Sequence, residues 1–361
     1  MKKALTTKHI AKLAGVSVGT VSHVMNGSAG VSDALRKRVE QTVRMVDYQP
    51  SQLARGLRRH STDLLGVIIP DISNPYFPRL VRGVEDVAYK EGFRLVLCNT
   101  DNDSSKELSY FNDLRSFHPA GIIVIPSEGS VLASDASHRE LQTIFVDRCP
   151  DSWTGDAVMA NNEEGGYQAG SYLTSMGHRL IAVISGPTHI QTARDRIRGF
   201  RRALSEAHVP LPSKYVAEAP FNSEGGFGAA TRLLALSPRP MAIFAANDTL
   251  AIGALAAIRA LGLRCPEDVS LVGFDDLEFS VLTEPSLTTV FQPGYQIGAL
   301  ACQLLLDRVR GATHPAERKI LKTELRIRNS VHSVLRVGKH ARQSAIVRSS
   351  KKKIIDAPIQ V

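Results

Sequence analysis

Cysteine is scarce and scattered in this chain. The four present, Cys98, Cys149, Cys265 and Cys302, lie far apart with no C-x-x-C pair. That excludes a disulfide framework and the usual zinc spacing, and predicts small buried hydrophobes in a reducing compartment. No stretch approaches about 18 uninterrupted apolar residues, and the opening MKKALTTKHIAK lacks the apolar run of a signal peptide. A cytoplasmic protein without membrane contact is expected. Catalytic signatures are missing too. There is no G-x-G-x-x-G after a strand, no phosphate-binding P-loop, no H-E-x-x-H and no nucleophile elbow, although Asp275 and Asp276 could be mistaken for paired catalytic carboxylates. We therefore expect no enzyme activity, no metal and no cofactor.

What is present begins with size and charge. A chain of 361 residues with 43% hydrophobic content predicts two or three domains with real cores. The net charge of +9 is unevenly placed: residues 1–60 hold eleven Lys/Arg against three acids, and residues 332–361 hold seven against one. The middle is therefore acidic. A basic head on an acidic body is the footprint of a protein that touches phosphates with one part only.

That head contains TTKHIAKLAGVSVGTVSHVMN, residues 6–26, which reads as two short helices on either side of a tight turn. Ile10, Ala11, Leu13 and Ala14 form an apolar stripe on the first, and Val18, Val21, Val24 and Met25 recur at helical spacing on the second. Gly15 supplies a residue that tolerates positive φ at a helix end, and Ser17 can cap the next helix with its hydroxyl. Ser17, Gly19, Thr20, Ser22 and Asn26 leave the second helix slim enough to enter a DNA major groove. A third helix follows, capped by Ser32, with Leu35, Val39 and Val43 on one face. Alone, such a pattern also fits an ordinary helical hairpin inside a larger fold.

The whole 60-residue run resembles the DNA-binding headpiece of the lactose-repressor/purine-repressor family of bacterial transcription factors. The resemblance continues through LLGVIIPDISNPYF, TARDRIRGF, AANDTLAIGAL and VSLVGFDD, covering about residues 5–330. It implies that Thr6, Ser17, Thr20, Asn26 and Ser32 contact backbone phosphates, while Val18, Gly19 and His23 face base edges. At the position of His23 relatives often carry Arg, whose fork grips guanine O6 and N7 together. Histidine offers one nitrogen at a time, so weaker direct readout and more weight on DNA shape are expected. PSQLARGLRR, residues 50–59, resembles the family's hinge helix. Pro50 suits its first position, while Gly56 costs about 1 kcal/mol relative to alanine, so it should order only on DNA, paired with its twin. The resemblance implies that Leu57 enters a base step from the minor groove, Ala54 contacts the paired helix, and Arg55 and Arg58 lie near phosphates or the groove floor. Burial against the core is the alternative for Leu57.

From Thr62 onward short apolar strands alternate with amphipathic helices. LLGVIIP, FRLVLCNT, GIIVIP, TIFVDR, LIAVIS, MAIFAAN and VSLVGFD read as strands; residues 78–91, 104–117, 163–176, 197–208, 223–236, 249–261 and 295–310 read as helices. Val- and Ile-rich buried runs between helices mean parallel sheets wound on both faces. A break near residues 157–162 divides them into two similar halves. The expected fold is an all-α helix-turn-helix headpiece plus an α/β core of two doubly wound parallel-sheet lobes, like periplasmic sugar-binding proteins. The boundaries are 1–48 for the headpiece, 49–61 for hinge helix and linker, 62–331 for the two-lobed effector-binding and dimerisation domain, and 332–361 for a basic, disordered tail. That tail has no leucine heptad to make a tetramer.

Ligands of such folds bind at strand carboxyl ends, between the lobes. Asp71, Asn74, Tyr76 and Phe77 follow the first strand, and Asp147 and Arg148 the fourth. Arg196 follows TARD, Phe221 follows a strand at 216–220, Asn247 ends MAIFAAN and Asp275 ends VSLVGFD. Planar charged groups with aromatic faces suit a polyhydroxylated ligand. By resemblance, Arg196, Asn247, Asp275, Phe77 and Phe221 are the leading effector contacts, with Asp71, Tyr76 and Asp147 beside them. Asp248 reads as a helix cap, Asp276 as facing solvent or a loop, and Asp275 with Arg196 as a possible structural ion pair. Where relatives often have Asp-Asn, this chain reads Ala160-Asn161, so one usual carboxylate contact is missing. A sugar or sugar acid is the leading effector and a nucleobase the second. The expected protein is a repressor that binds a palindromic DNA operator as a homodimer and responds to that small molecule. Cores would pair through helices 78–91, with Leu80, Val84, Val87 and Ala88 as an apolar stripe, and 104–117. A sugar-binding protein without a DNA role would share the core but lack the basic head.

Overall fold

The computed structural model describes residues 6–25, 30–46, 62–133 and 141–335. Three helices build the head: α1 (Thr7–Ala14), α2 (Val18–Met25) and α3 (Asp33–Met45). Gly15 ends α1 at φ 60°, ψ 43°, the left-handed conformation that penalises any Cβ. The Ser17 hydroxyl accepts the Thr20 N–H at 3.0 Å, capping α2 as its position predicts. Ile10, Ala11, Ala14, Val21, Val24 and Val39 form one small buried core from all three helices. Arg38 on α3 donates to the Gly15 carbonyl at 3.0 Å, fixing the turn.

Two readings of the head need correction. Leu13 is 60% exposed, because at 100° per residue it lies well off the arc centred between Ile10, Ala14 and Ala11. Ser32 stands at the N-terminal boundary of α3 in extended conformation, but its side chain makes no capping bond.

Beyond the head lie two sheets. The first has the order β11-β5-β4-β3-β1-β2, with β1 (Leu64–Ile69), β2 (Arg94–Asn99), β3 (Gly121–Val124), β4 (Thr143–Val146), β5 (Ala157–Ala160) and β11 (Arg318–Leu321). The second has the order β12-β10-β9-β8-β6-β7, with β6 (Ile181–Ser185), β7 (Val216–Glu218), β8 (Ala242–Ala245), β9 (Ser270–Asp275), β10 (Thr288–Phe291) and β12 (Glu324–Arg326). All pairings are parallel except β10 with β12, a departure from the all-parallel expectation. Helices α4 (Tyr76–Lys90), α5 (Ser104–Ser116) and α10 (Gly294–Val309) cover the first sheet. The second is covered by α6 (Asn162–Ser175), α7 (Gln191–Glu206), α8 (Ser223–Leu234) and α9 (Asp248–Ala260). Successive strand residues alternate between two cores: Leu65, Val67 and Ile69 face one cluster while Ile68 faces the other, as a sheet covered on both faces requires.

The chain crosses between lobes three times: after β5 into α6, after β10 into α10, and from β11 to β12. The expected break at 157–162 is thus a strand, β5, followed at once by the first crossing. Strands β5 and β10 are short, and β11 and β12 are largely exposed, so none leaves a long apolar run in the sequence. The last described residues belong to the second lobe: His332 N–H donates to Ser270 Oγ at 3.1 Å and Val334 N–H to the Met176 carbonyl at 2.9 Å. The boundary expected at 331 falls within this contact. Residues 336–361 lie outside the described residues.

One expectation about assembly fails. Leu80, Val84 and Ala88, the stripe assigned to a partner subunit, are buried in their own lobe, with Val87 packed beside them. Helix α10 covers them. A Cβ on Gly83 would lie 2.0 Å from the Tyr295 carbonyl oxygen, and one on Gly298 2.0 Å from that of Leu80. Only paired glycines let the two backbones approach so closely.

Candidate DNA-reading face and effector cleft

On α2 the wheel positions of Val18, Gly19, Ser22 and His23 span an arc of roughly 140°, opposite buried Val21 and Val24. Val18, Gly19 and His23 are exposed. Ser17, just before the helix, and Thr20, on it, bond to each other through their hydroxyls at 2.9 Å. Thr6, also exposed, contacts His9 Nδ1 through its hydroxyl at 2.8 Å, and Ser32 is exposed at the start of α3. The head thus presents one small-residue helix face, able to approach a groove floor closely. Asn26, Ala54, Arg55, Leu57 and Arg58 lie outside the described residues.

Between the two sheets the strand carboxyl ends face each other across a cavity of about 400 Å³. All eight residues expected to bind an effector, Asp71, Tyr76, Phe77, Asp147, Arg196, Phe221, Asn247 and Asp275, line it. First-lobe residues come from the loops after β1 and β4 and from the start of α4, and second-lobe residues from the loops after β7 and β8, the last residue of β9 and α7. Arg196 is helical, not a strand-end residue, because α7 starts at Gln191, six residues before the sequence reading placed it. Ile190 precedes it without a side-chain cap, so no polar start signal exists.

Arg196 is held tightly. Its Nε donates to Asn162 Oδ1 at 2.8 Å, Nη1 to the Ala246 carbonyl at 2.6 Å and Nη2 to Gln292 Oε1 at 3.0 Å. Its guanidinium stacks 3.8 Å from the Phe274 ring centroid. Asp275 Oδ1 lies 3.4 Å from Nη1, yet takes no hydrogen bond. Burial drives the Asp275 carboxyl well above its ordinary range, and Arg196 offsets this only in part. Asp275 also holds a φ of 114°, outside the ordinary range for a residue with a Cβ. Asp147, at φ 66°, is likewise buried, raised by desolvation and unbonded at Oδ1. Gln292 Nε2 is also buried without a partner among the described residues, and the buried Tyr76 hydroxyl lies beside the Asp147 carboxyl. Buried polar atoms are nearly always satisfied, so this concentration leaves bonding capacity at the cavity wall that a polar group in the cavity could take up.

Other residues serve the frame. Asp71 Oδ1 accepts both the N–H and the hydroxyl of Ser73, at 2.8 and 2.6 Å. Tyr76 and Phe77 meet edge to face at 5.3 Å, and the Phe221 ring occupies the space that a Cβ on Gly186 would need. The cap of α9 is Asn247, whose Oδ1 accepts the Leu250 N–H at 2.8 Å, not Asp248 as expected. Asp248 is fully buried and accepts Leu277 N–H at 2.9 Å and the Ser280 and Thr289 hydroxyls at 2.6 Å each. Asp276 does not point to solvent alone: it pairs with Arg328 at 2.5 Å, while its carbonyl accepts Arg79 Nη1 from the other lobe at 3.1 Å. Asn161 caps α6 through Glu164 N–H at 3.1 Å; neither it nor Ala160 lines the cavity.

Asp248 supplies a test of the frame. Desolvation raises its pKa from 3.8 to about 6. The folded state therefore binds a proton that the unfolded chain has lost, and stability falls as pH rises from about 4 to about 6, by roughly 3 kcal/mol. Asp248→Asn should flatten that part of the pH–stability curve, measured by denaturant unfolding. An unchanged slope would contradict the assignment.

The cysteines carry no disulfide. Burial pushes Cys149 up to about 11 and Cys265 and Cys302 to about 12. Cys98 and Cys265 are only half-buried. Among the described residues no helix is long and apolar enough to cross a membrane.

Comparison with known proteins points the same way. Residues 6–51 match the family described as bacterial regulatory proteins, lacI family, and residues 171–331 the periplasmic binding protein-like domain. The HTH-type transcriptional repressor PurR of Aliivibrio salmonicida (strain LFI1238) is 37% identical over 333 residues, 91% of this chain and 99% of that protein. Among solved structures, the lac repressor dimer bound to operator and the anti-inducer ONPF superposes with a TM-score of 0.83 at 26% identity, covering 91% of this chain and 100% of that one. A complex of the transcriptional regulator CelR with cellobiose gives 0.70 at 31%, covering 90% of this chain and 99% of that one.

Proposed function

The chain belongs to the lacI family of bacterial regulatory proteins, and from that premise we propose that it is a cytoplasmic repressor that binds a palindromic operator as a homodimer and responds to a small molecule in the interlobe cleft. One observation carries this reading: an exposed helix-turn-helix and a cleft lined by unsatisfied polar atoms occur in the same chain. A head this small reads only a few base pairs, so two must act together on a symmetric site. Val18, Gly19 and His23 face the bases, with small Ser22 on the same arc, and Thr6, Ser17, Thr20, Asn26 and Ser32 face the phosphates. By the resemblance, residues 50–59 serve as the hinge, with Leu57 entering a base step from the minor groove, Ala54 contacting the paired helix, and Arg55 and Arg58 near phosphates or the groove floor. The relatives are named as repressors, and no feature of the cleft assembles a nucleophile with a base, so no enzyme activity is assigned.

With the α4 stripe turned inward, the second copy needs other surface. Leu97 on the edge strand β2, Phe117 beyond α5, and Val281 and Leu282 on the second lobe are exposed apolar residues, Leu282 by 82%. An unpaired edge bearing apolar side chains is a surface that proteins cover. This retains the face near α5 and replaces that of α4.

For the effector, a carbohydrate suits the cleft best. Asp147, Asp275 and the Asn247 amide accept and donate to vicinal hydroxyls, while Phe77 and Phe221 cover the apolar face. A nucleobase is the second reading, because Tyr76 and Phe77 present aromatic surface to the cavity. A thermal-shift screen of sugars, sugar acids, sugar phosphates and purines decides between them. Saturation at 100-fold the dissociation constant adds about 2.7 kcal/mol. A carbohydrate response supports the reading, and stabilisation by purines alone contradicts it.

His23 gives a test at the DNA. His23→Arg should add preference for guanine at one position of each half-site, worth about 1 to 3 kcal/mol, through the paired contacts to O6 and N7. Binding measured across single-base variants of the operator checks this; an unaltered base preference removes His23 from the reading face.

A further inference from the structure

A second cavity, of about 280 Å³, adjoins the cleft and shares Arg148 and Ile190 with it. Arg148, His189, Arg194, Glu128 and Asp151 bring the charges to its wall. Most of these groups are occupied. His189 Nε2 meets Glu128 Oε2 at 2.7 Å, lobe to lobe, and Arg194 Nη1 donates to the Thr188 and His189 carbonyls at 3.3 and 2.5 Å. Asp151 is exposed to solvent.

Arg148 is different. Its side chain is 9% exposed, its buried Nε has no partner, and no N–H of its guanidinium forms a hydrogen bond with a described residue. The nearest acid, Asp147, approaches Nε only to 3.9 Å and is itself unbonded at Oδ1. Glu107, the next, spends both oxygens on the Ser127 N–H and the Ser130 hydroxyl. Burial accordingly depresses the Arg148 pKa. Arginine is rarely buried unless paired, and a desolvated guanidinium without acceptors is costly. Arg196, across the cleft, has by contrast given its Nε, Nη1 and Nη2 to its own chain.

We propose that Arg148 receives an anionic group of the effector, a carboxylate or phosphate, which enters the second cavity while the remainder of the molecule occupies the cleft. The inference rests on the carbohydrate reading above and narrows it to an acidic carbohydrate. A planar guanidinium whose donors are unspent among the described residues matches two anion oxygens side by side. The unbonded oxygens of Asp147 and Asp275 would repel that anion, but they suit hydroxyls further along the same molecule. The partition therefore predicts a ligand with one charged end and a hydroxylated body.

Calorimetric titration of the full chain with matched probes tests this: glucose, gluconate and glucose 6-phosphate; galactose, galacturonate and galactose 6-phosphate; hypoxanthine and inosine 5′-monophosphate. Within a sugar set the anion should bind at least tenfold tighter than its neutral parent, with an advantage that shrinks as salt rises. The better of the carboxylate and phosphate arms identifies the group. Arg148→Gln should bring the anion down to the affinity of its parent while leaving the parent unchanged, and Arg194→Gln, at an exposed position, should weaken the anion less. Equal affinities within each set, or an Arg148→Gln effect equal on anion and parent, overturns the subsite. Should Arg148→Gln fail to fold, the wild-type preference within each set and its salt dependence decide alone. If only the purine pair binds, the carbohydrate reading is overturned, and the subsite is judged on whether the monophosphate outbinds the neutral base. Silence from every probe overturns both.

Discussion

Asp275→Asn should raise the melting temperature of the ligand-free protein and weaken its carbohydrate ligand about 10- to 100-fold. The carboxylate is 3% exposed and carries a charge that burial opposes. Its folded pKa is raised, so its charge costs stability above that pKa, and the cost disappears as pH falls through it toward the unfolded value. The amide is nearly the same shape and has no charge to desolvate. Arg196 keeps its three hydrogen bonds in the variant, so no new orphan is created at the guanidinium. A gain of about 1 kcal/mol would move the transition of such a core by roughly 2 to 4 °C. Stability and binding then change in opposite directions, as at sites kept polar for function. A fall in melting temperature would instead make Asp275 the structural partner of Arg196 and remove it from the site. Scanning calorimetry with and without the strongest stabiliser from the screen reads both outcomes.

Val21→Ala should act at the opposite end of the molecule. Its side chain is one of six that make up the buried core of the head, and it is wholly inaccessible. Losing two buried methyl groups costs about 2 kcal/mol once the cavity is included. At about 0.05–0.15 kcal/mol per residue, a head this small has little stability to lose. Each head would spend much of its time unfolded. Because both must engage one operator, the loss in affinity compounds, and at least tenfold weaker DNA binding is expected. The lobes have their own cores, so ligand affinity should be unaltered. Fluorescence anisotropy with labelled operator, beside calorimetric ligand titration, separates the two. Undiminished DNA binding, or parallel loss of ligand binding, would contradict the division of labour.

The legible parts of this molecule were those written in local periodicity. Seven of the strands and the bounds of most helices follow from apolar runs and amphipathic spacing, and Gly15 and Ser17 announce the turn of the head by chemistry alone. The cleft residues were also reachable, because the family resemblance carried them. What stayed hidden depends on contacts distant in sequence. Helix α7 begins without a cap, so Arg196 could not be seen to be helical. Asn247 and Asp248 are adjacent, and nothing local says that the first caps α9 while the second gathers three donors from β10 and the loop after β9. The stripe on α4 carries the signal of a buried face, but not whether the cover is the same chain or another. The glycine pair at Gly83 and Gly298 settles it only once both backbones are placed. Arg148 reads in the sequence as one more strand-end charge, and its lack of hydrogen-bond partners among the described residues is a property of the folded surroundings.

The measurement that bears most directly on the whole account is selection of randomised duplex DNA by the full-length protein, run with and without the strongest ligand of the thermal screen. The account predicts enrichment of one two-fold symmetric sequence, with two half-sites bound together and an occupancy that the ligand changes. Recovery of no symmetric sequence in either condition would contradict it.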